Sequence, residues 1–288
     1  MARLADRHPD NVDGAWFVDM RCIDCGTCRE LVPDLFGETG MQSVVVAQPT
    51  DPAAEHRAWL ASAACPTASI GRSPRTPRPE HLFPLAVDGP VSDLGHCSED
   101  SFGATSYLVE RPDGNLMVDS PVFTRRLIGE VDDRGGIAHV LLTHRDDVAD
   151  AQQWAERYGA RVWIHADDRR AAPYATDVIE GTATADIAPG VSVIPVPGHT
   201  RGSVVFLVDD RWLFTGDSLA WSYGHEDLVA FRGACWYSWP EQTRSLDRLA
   251  DEARFEWVLP GHGARVHLDP DDAHARLRAL VRRMQAAA

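Results

Sequence analysis

The sequence predicts an α+β chain of two domains, and three observations support this. Four of the six cysteines fall within the first 65 of 288 residues. A stretch rich in proline and arginine at 73–81 then interrupts the hydrophobic pattern. After it, β-branched segments alternate with helical patterns. A chain of this length accommodates two packed cores. We therefore assign residues 1–72 to a small first domain, 73–81 to a linker and 82–288 to a larger second domain.

The cysteines of the first domain have the spacing of iron–sulfur ligands. Cys22, Cys25 and Cys28 form a C-x2-C-x2-C run, and Cys65 precedes a proline. Three such thiolates can bind one side of a cubane cluster while a distant fourth completes the set. A zinc site made of four cysteines normally uses two separated C-x2-C pairs. A disulfide framework is disfavoured because the other two cysteines are isolated and no secretory signal is visible. The same two observations predict a cytoplasmic protein.

This region resembles a single-cluster bacterial ferredoxin over about residues 10–72. The resemblance rests on Asp19, Gly26, Pro33, Phe36 and the segment Ala63-Ala64-Cys65-Pro66-Thr67. It implies a 4Fe-4S cluster rather than a 3Fe-4S cluster, because the second cysteine of the run is present. The implied cluster ligands are Cys22, Cys25, Cys28 and Cys65. A soluble electron donor is the partner that such a domain implies.

The charge balance excludes several classes of partner. The formal net charge is −15, with 43 acidic residues against 28 basic ones, all of them arginine. Phosphates of nucleic acids or anionic membranes would be repelled by such a surface. No apolar run is long enough to cross a bilayer. We therefore expect no nucleic-acid partner and no membrane partner, and the sequence leaves the oligomeric state open.

The second domain is predicted to consist of layers of strands and helices. β-branched segments predict its strands, and amphipathic patterns predict its helices. The predicted strands are 105–109, 116–119, 140–143, 161–165, 191–196, 203–208, 212–215 and 257–259, and the predicted helices are 149–158 and 271–284.

Histidines and aspartates follow four of these strands. The segments are Thr143-His144-Arg-Asp146-Asp147, Pro197-Gly-His199-Thr, Thr215-Gly-Asp217 and Pro260-Gly-His262-Gly. Loops that leave a sheet often carry functional groups. A single histidine is more often structural, but four such strand ends with nearby glycines point to a shared metal site.

These motifs resemble the metallo-β-lactamase fold, an αββα sandwich, over about residues 82–288. The family motif after Thr143 reads H-x-H-x-D-H, and the later P-G-H-T, T-G-D and P-G-H-G elements supply two histidines and an aspartate. By resemblance, His144, His199, Asp217 and His262 match ligand positions.

The first motif departs from the family pattern. Its second histidine is Asp146, and its D-H pair is replaced by Val148-Ala149. Asp147 or Asp150 could replace the missing carboxylate, whereas no alignment restores the missing histidine.

Carboxylate-rich sites suit iron and manganese as well as zinc. Flavodiiron proteins of the same superfamily carry a carboxylate at the position of Asp146, which favours iron. A cluster that moves electrons fits a redox-active second metal better than a hydrolytic one. We therefore expect iron-dependent redox chemistry on a small-molecule substrate. The metal ligands would be His144, Asp146, His199, Asp217 and His262.

Two alternatives stay open at this point. A zinc-dependent hydrolase would attack an ester, thioester or lactam, with Asp146 or Asp150 orienting the nucleophilic water and the cluster in a structural or regulatory role. A non-catalytic electron carrier or sensor would keep the cluster and lose the second metal. Fold resemblance alone does not decide among these functions.

Overall fold

The computed structural model describes residues 1–287. In the first domain, two small antiparallel sheets, β1–β4 and β2–β3, pack with two helices around a core that contains Trp16, Phe36 and Ala61. The elements are β1 (Trp16–Val18), α1 (Thr27–Leu31), β2 (Phe36–Thr39), β3 (Gln42–Val45), α2 (Pro52–Ala64) and β4 (Ile70–Arg72). Asp51 caps α2 by accepting a hydrogen bond from the backbone N–H of Ala54.

The first half of the second domain forms a seven-stranded sheet in the order β11-β10-β9-β8-β7-β6-β5. The pairs among β8, β9, β10 and β11 are parallel, and the others are antiparallel. Its elements are β5 (Leu85–Asp88), β6 (Val91–Asp93), β7 (Tyr107–Val109), β8 (Leu116–Val118), α3 (Arg125–Asp133), β9 (His139–Leu141), α4 (Ala151–Tyr158), β10 (Arg161–His165) and β11 (Asp177–Ile179).

The second half forms a six-stranded sheet in the order β12-β13-β14-β15-β18-β19, with β16 and β17 as a separate hairpin. Its elements are β12 (Ala185–Ala188), β13 (Val191–Pro195), β14 (Val204–Val208), β15 (Trp212–Gly216), β16 (Ala220–Ser222), β17 (Asp227–Val229), α5 (Trp239–Glu252), β18 (Trp257–Pro260), β19 (Val266–His267) and α6 (Pro270–Ala286). Short 3-10 helices occupy Leu4–Asp6, Arg145–Asp147, Ala166–Ala171 and Arg232–Ala234.

Three hydrophobic clusters hold these elements in four layers. Val109 and Leu141 of the first sheet pack against Phe206 and Phe214 of the second. The outer face of the first sheet packs on α3 and α4, and the outer face of the second packs on α5 and α6. This is the predicted αββα order, and the sandwich brings the ends of β9, β13, β15 and β18 to one edge.

The two domains share a hydrophobic cluster. Leu60 and Ala63 of α2 pack with Leu82, Phe83 and Cys97 of the following chain. The predicted linker at 73–81 lies between the end of β4 and the start of β5. None of the helices at 1–287 is long and apolar enough to cross a membrane.

Candidate metal centres

The four predicted cluster cysteines share one neighbourhood beside α1. All four are free thiols. Burial raises the pKa of the Cys28 thiol, and the nearby thiols of Cys25, Cys65 and Cys22 raise it further. Burial also raises the pKa of Cys25 and Cys65. Buried thiolates need positive charge to stabilise them, so this environment fits a bound iron–sulfur cluster.

Hydrogen-bond donors already point at these sulfur atoms. Cys22 Sγ accepts from the backbone N–H groups of Asp24 at 3.4 Å and Ser43 at 3.3 Å. Cys65 Sγ accepts from the N–H of Ser69 at 3.3 Å. Such donors stabilise anionic sulfur and tune the potential of a cluster.

A second candidate centre lies at the edge of the sandwich, where four side-chain atoms face one another. Asp146 Oδ2 lies 3.4 Å from His199 Nε2 and 4.0 Å from His144 Nε2. Asp217 Oδ2 lies 3.5 Å from His199 Nε2 and 3.8 Å from His144 Nε2. Four ligands at about 2.0–2.2 Å from a central cation stand roughly 3.3–3.6 Å apart in a tetrahedron. The four histidine–aspartate pairs therefore approach the spacing that a metal ion requires. Two groups of three residues could each hold an ion: His144 with Asp146 and His199, and His144 with Asp147 and Asp217.

The hydrogen bonding of these atoms also fits a metal. His144 Nε2, His199 Nε2 and Asp146 Oδ2 are buried and have no hydrogen-bond partner among the described residues. His144 and His199 are 1% and 2% exposed. Leaving such polar atoms unpaired costs about 1–3 kcal/mol each, and a bound cation would satisfy all of them together.

A hydrogen-bond chain orients the imidazole of His144. The hydroxyl of Thr143 donates to the buried carboxylate of Asp119, with Oγ1 2.8 Å from Asp119 Oδ2. The same oxygen lies 3.0 Å from His144 Nδ1 and can accept its proton. A proton on Nδ1 leaves Nε2 free as a ligand, which is how supporting groups usually select the tautomer of a metal-binding histidine. Burial raises the pKa of Asp119 to about 7.

The loop after β18 passes close to the carboxylates. A Cβ on Gly261 would lie 2.7 Å from Asp147 Oδ2 and 3.1 Å from Asp217 Oδ1. Any larger residue at this position would displace one of these side chains, so glycine is required by close approach.

His262 differs from the other two histidines of the centre. Its Nδ1 lies 2.9 Å from Asp217 Oδ1, and its Nε2 lies 3.3 Å from the carbonyl oxygen of Phe102. Both ring nitrogens are therefore engaged, and His262 does not belong to the groups whose atoms could jointly hold an ion among residues 1–287. Burial lowers the pKa of His262, but the charge of Asp217 outweighs burial and raises it to about 10.

The remaining pKa shifts agree with a crowded anionic centre. Burial lowers the pKa of His144 to about 4. The nearby imidazole of His199, 3.4 Å away, holds the pKa of Asp146 below its usual range. Burial opposes ionisation of Asp217, but the positive charge of His262 prevails and lowers its pKa.

The two candidate replacement carboxylates have different positions. Asp147 is 1% exposed, neither of its oxygens has a partner within the described chain, and it groups with His144 and Asp217. Burial raises its pKa well above the usual value. Asp150 instead precedes α4, where its oxygens accept hydrogen bonds from Phe123 N–H and the Gln153 amide, both at 2.8 Å. The 3-10 turn at Arg145–Asp147 instead places Asp146 and Asp147 beside His144, at 4.0 and 3.9 Å. The catalytic role of Asp150 stays a prediction.

Sequence reasoning missed two supporting features. The Asp119–Thr143 pair follows two adjacent strands, and a buried carboxylate beside a histidine-bearing strand end could have suggested it. The contact between Phe102 and His262 joins residues 160 positions apart, and no motif marks it.

The fold and the two candidate centres define an αββα domain with a possible metal site, joined to a small domain with four clustered cysteines. Residues 97–284 match the family described as the metallo-beta-lactamase superfamily, and residues 18–72 match the 4Fe-4S single cluster domain of ferredoxin I. The chain belongs to the metallo-beta-lactamase superfamily and carries a ferredoxin-type domain at its N-terminal end. Both predicted resemblances are thus confirmed.

Curated relatives include hydroxyacylglutathione hydrolases. The protein of that name from Acidiphilium cryptum is 30% identical over 188 residues, which cover 63% of this chain and 76% of the relative. That from Xanthomonas oryzae is 34% identical over 187 residues, covering 61% and 68%. The uncharacterized protein YmaE of Bacillus subtilis is 24% identical over 150 residues, and the chain spans about half of its length (47%). These names support a hydrolase-type relationship, and the iron-dependent redox function stays a prediction.

Solved structures agree on the fold. The DIM-1 metallo-beta-lactamase exposed to ceftazidime aligns with a TM-score of 0.53 at 18% identity, covering 71% of this chain and 96% of that one. The mono-zinc form of FIM-1 from Pseudomonas aeruginosa gives 0.52 at 17% identity, covering 69% and 94%. At these identities the likeness establishes the fold alone.

Proposed function

We propose that this chain is a redox metalloenzyme in which a 4Fe-4S domain delivers electrons to a metal ion held by His144, Asp146, His199 and Asp217. Iron is the favoured metal, and a small molecule is the substrate. A soluble protein would supply the electrons.

One observation carries this proposal: a single loop contacts both centres. Gly103 lies against Cys25, because a Cβ on Gly103 would be 2.9 Å from the cysteine sulfur. The preceding residue, Phe102, places its carbonyl oxygen 3.3 Å from His262 Nε2. With ordinary covalent geometry across one peptide unit, Cys25 Sγ and His262 Nε2 are separated by at most roughly 11 Å. Electrons tunnel over such distances in proteins.

The donor set supports iron. Two imidazole nitrogens and two carboxylate oxygens combine ligand types that suit iron and manganese as well as zinc. When bound, the cluster supplies single electrons and the metal supplies an open coordination position. The chain's own residues hold and orient these groups: Thr143 fixes the tautomer of His144, and Asp146 brings a partly exposed carboxylate to the solvent side of the centre.

A second candidate is zinc-dependent hydrolysis of an ester, thioester or lactam. The names of the curated relatives favour it. In that case Asp146 would orient the attacking water, since the oxygens of Asp150 are already engaged. The cluster would then have a structural or regulatory role. The unpartnered ligand atoms argue against the third interpretation, a domain that has lost its metal site.

The deciding experiment compares the two activities on one preparation purified without oxygen. Reductant-driven consumption of oxygen or nitric oxide that is lost in Cys25→Ala would support the redox proposal. Chelator-sensitive thioester hydrolysis that is unchanged in Cys25→Ala, with no reductant-driven consumption, would overturn it in favour of the hydrolase.

A further inference from the structure

Backbone hydrogen bonds fix the conformation of the loop between β6 and β7. Gly103 N–H donates to the carbonyl of Ser98 at 2.8 Å, and Ala104 N–H donates to that of Ser101 at 3.0 Å. Near the end of the loop, Thr105 N–H donates to the carbonyl of Gly261 at 2.8 Å. The loop is therefore fixed to the residue that precedes His262.

The cluster side of the loop is equally well defined. The hydroxyl of Thr27 donates to the carbonyl of Gly103 at 2.7 Å and lies 3.3 Å from Cys25 Sγ. Gly103 has φ +89°, and its missing side chain is what allows Cys25 to approach, since a Cβ there would lie 2.7 Å from Cys25 Cβ. The close approach is a steric requirement on this glycine.

At the second centre the loop contacts His262, and both ring nitrogens of this histidine have a partner. His262 uses Nε2 toward the Phe102 carbonyl and Nδ1 toward Asp217 Oδ1. The other carboxylate oxygen of Asp217 faces His199 Nε2 at 3.5 Å. His144 and His199, by contrast, leave Nε2 without a partner.

We infer that Phe102, Gly103 and His262 form the electron route between the two centres, and that His262 is a hydrogen-bonded positioning residue rather than a metal ligand. The inference rests on the proposed redox function. In the step concerned, one electron leaves the reduced cluster and converts ferric to ferrous iron in the second centre. No bond forms or breaks, and the soluble donor protein replaces the electron.

The role of His262 departs from the expectation that the resemblance gave. A histidine ligand would need one free ring nitrogen directed at the ion, and both nitrogens of His262 are engaged elsewhere. The structure thus favours a centre with two histidines and two aspartates, linked to the cluster loop through a third histidine.

The first test measures metal content in three variants and one control variant. His262→Leu and His262→Gln should keep the second-site iron, whereas His199→Leu should lose it, and His225→Leu provides a control at an exposed histidine of the β16–β17 hairpin. Loss of second-site iron from both His262 variants, with the cluster absorbance intact, would show that His262 is a ligand and would overturn the inference.

The second test measures electron transfer without turnover. The iron-loaded protein receives less than one equivalent of dithionite under anaerobic conditions, and the visible absorbance of the cluster is followed as it passes the electron to ferric iron. His262→Leu should slow this phase about 10-fold, and His262→Gln, which keeps a donor for the Phe102 carbonyl, should slow it less. An unchanged rate in His262→Leu would overturn the route.

Electron paramagnetic resonance distinguishes a wrong electron route from a wrong redox function. In wild type and in both His262 variants, the reduced cluster should show faster spin relaxation when the second site holds a paramagnetic ion than when it holds zinc. This result would support a short distance between the two centres. Absence of that effect in wild type would overturn the route. If wild type shows the effect but ferric iron is never reduced, the redox function itself is wrong, and the route fails with it.

Discussion

Replacement of Asp146 by alanine should empty the second metal centre without unfolding the domain. The side chain supplies one of four converging atoms, 3.4 Å from His199 Nε2. Loss of a group that merely supports a ligand costs 10–100-fold in metal affinity, so loss of a ligand should cost at least about 100-fold, or roughly 2.8 kcal/mol. The carboxylate is 42% exposed and lies among other acidic groups. The metal-free variant should therefore keep its stability to within about 0.5 kcal/mol.

The assay is metal content at graded chelator concentrations, with thermal unfolding of the metal-free protein measured in parallel. Asp150→Ala is the matched control, because its carboxylate accepts the Phe123 N–H and the Gln153 amide instead of facing the centre. It should retain metal and lose about 1 kcal/mol of stability. Equal chelator resistance in Asp146→Ala and wild type would refute the assignment of Asp146 as a ligand.

Three further predictions concern other parts of the molecule. Cys25→Ala should lose cluster absorbance and sulfide but keep second-site metal, and equal loss at both sites would indicate damage to folding instead of ligation. Gly261→Ala should weaken metal binding at the second centre with the cluster unaffected, because the new methyl group would meet Asp147 and Asp217; unchanged chelator resistance would contradict this. His96→Gln should reduce the loss of stability between pH 6.5 and about 4 in urea titrations. Burial, aided by Arg78, lowers the pKa of His96 to about 4, so its stability contribution is present above the unfolded pKa of about 6.5 and is lost as pH falls. Identical pH slopes in both proteins would count against that cause.

The sequence was sufficient for the domain order and for most of the candidate ligands. The cysteine spacing reflects how a short segment wraps a cluster, and strand ends such as those at His144 and Asp217 meet at one edge because the sheets stack. Both features depend on local pattern and on the topology of the fold, which periodicity reveals.

The remaining features depend on contacts that spacing does not encode. Asp146, Asp147 and Asp150 are equally plausible in sequence, and only the 3-10 turn at Arg145–Asp147 decides which of them face the centre. The contact to Nε2 of His262 comes from Phe102, a residue distant in sequence and outside any motif. Side-chain direction and interdomain packing thus distinguish the candidate ligands from the residues that we infer to support them.

The central claim is that one chain holds a cluster and a redox-active iron in two centres that the same loop connects. Iron, zinc and acid-labile sulfide per chain, measured on protein purified without oxygen, test it most directly because sulfide counts the cluster independently. The account predicts about four sulfides with about five irons, the fifth lost in Asp146→Ala. About four irons with one or two zinc ions would contradict it and indicate a hydrolase with a supporting cluster.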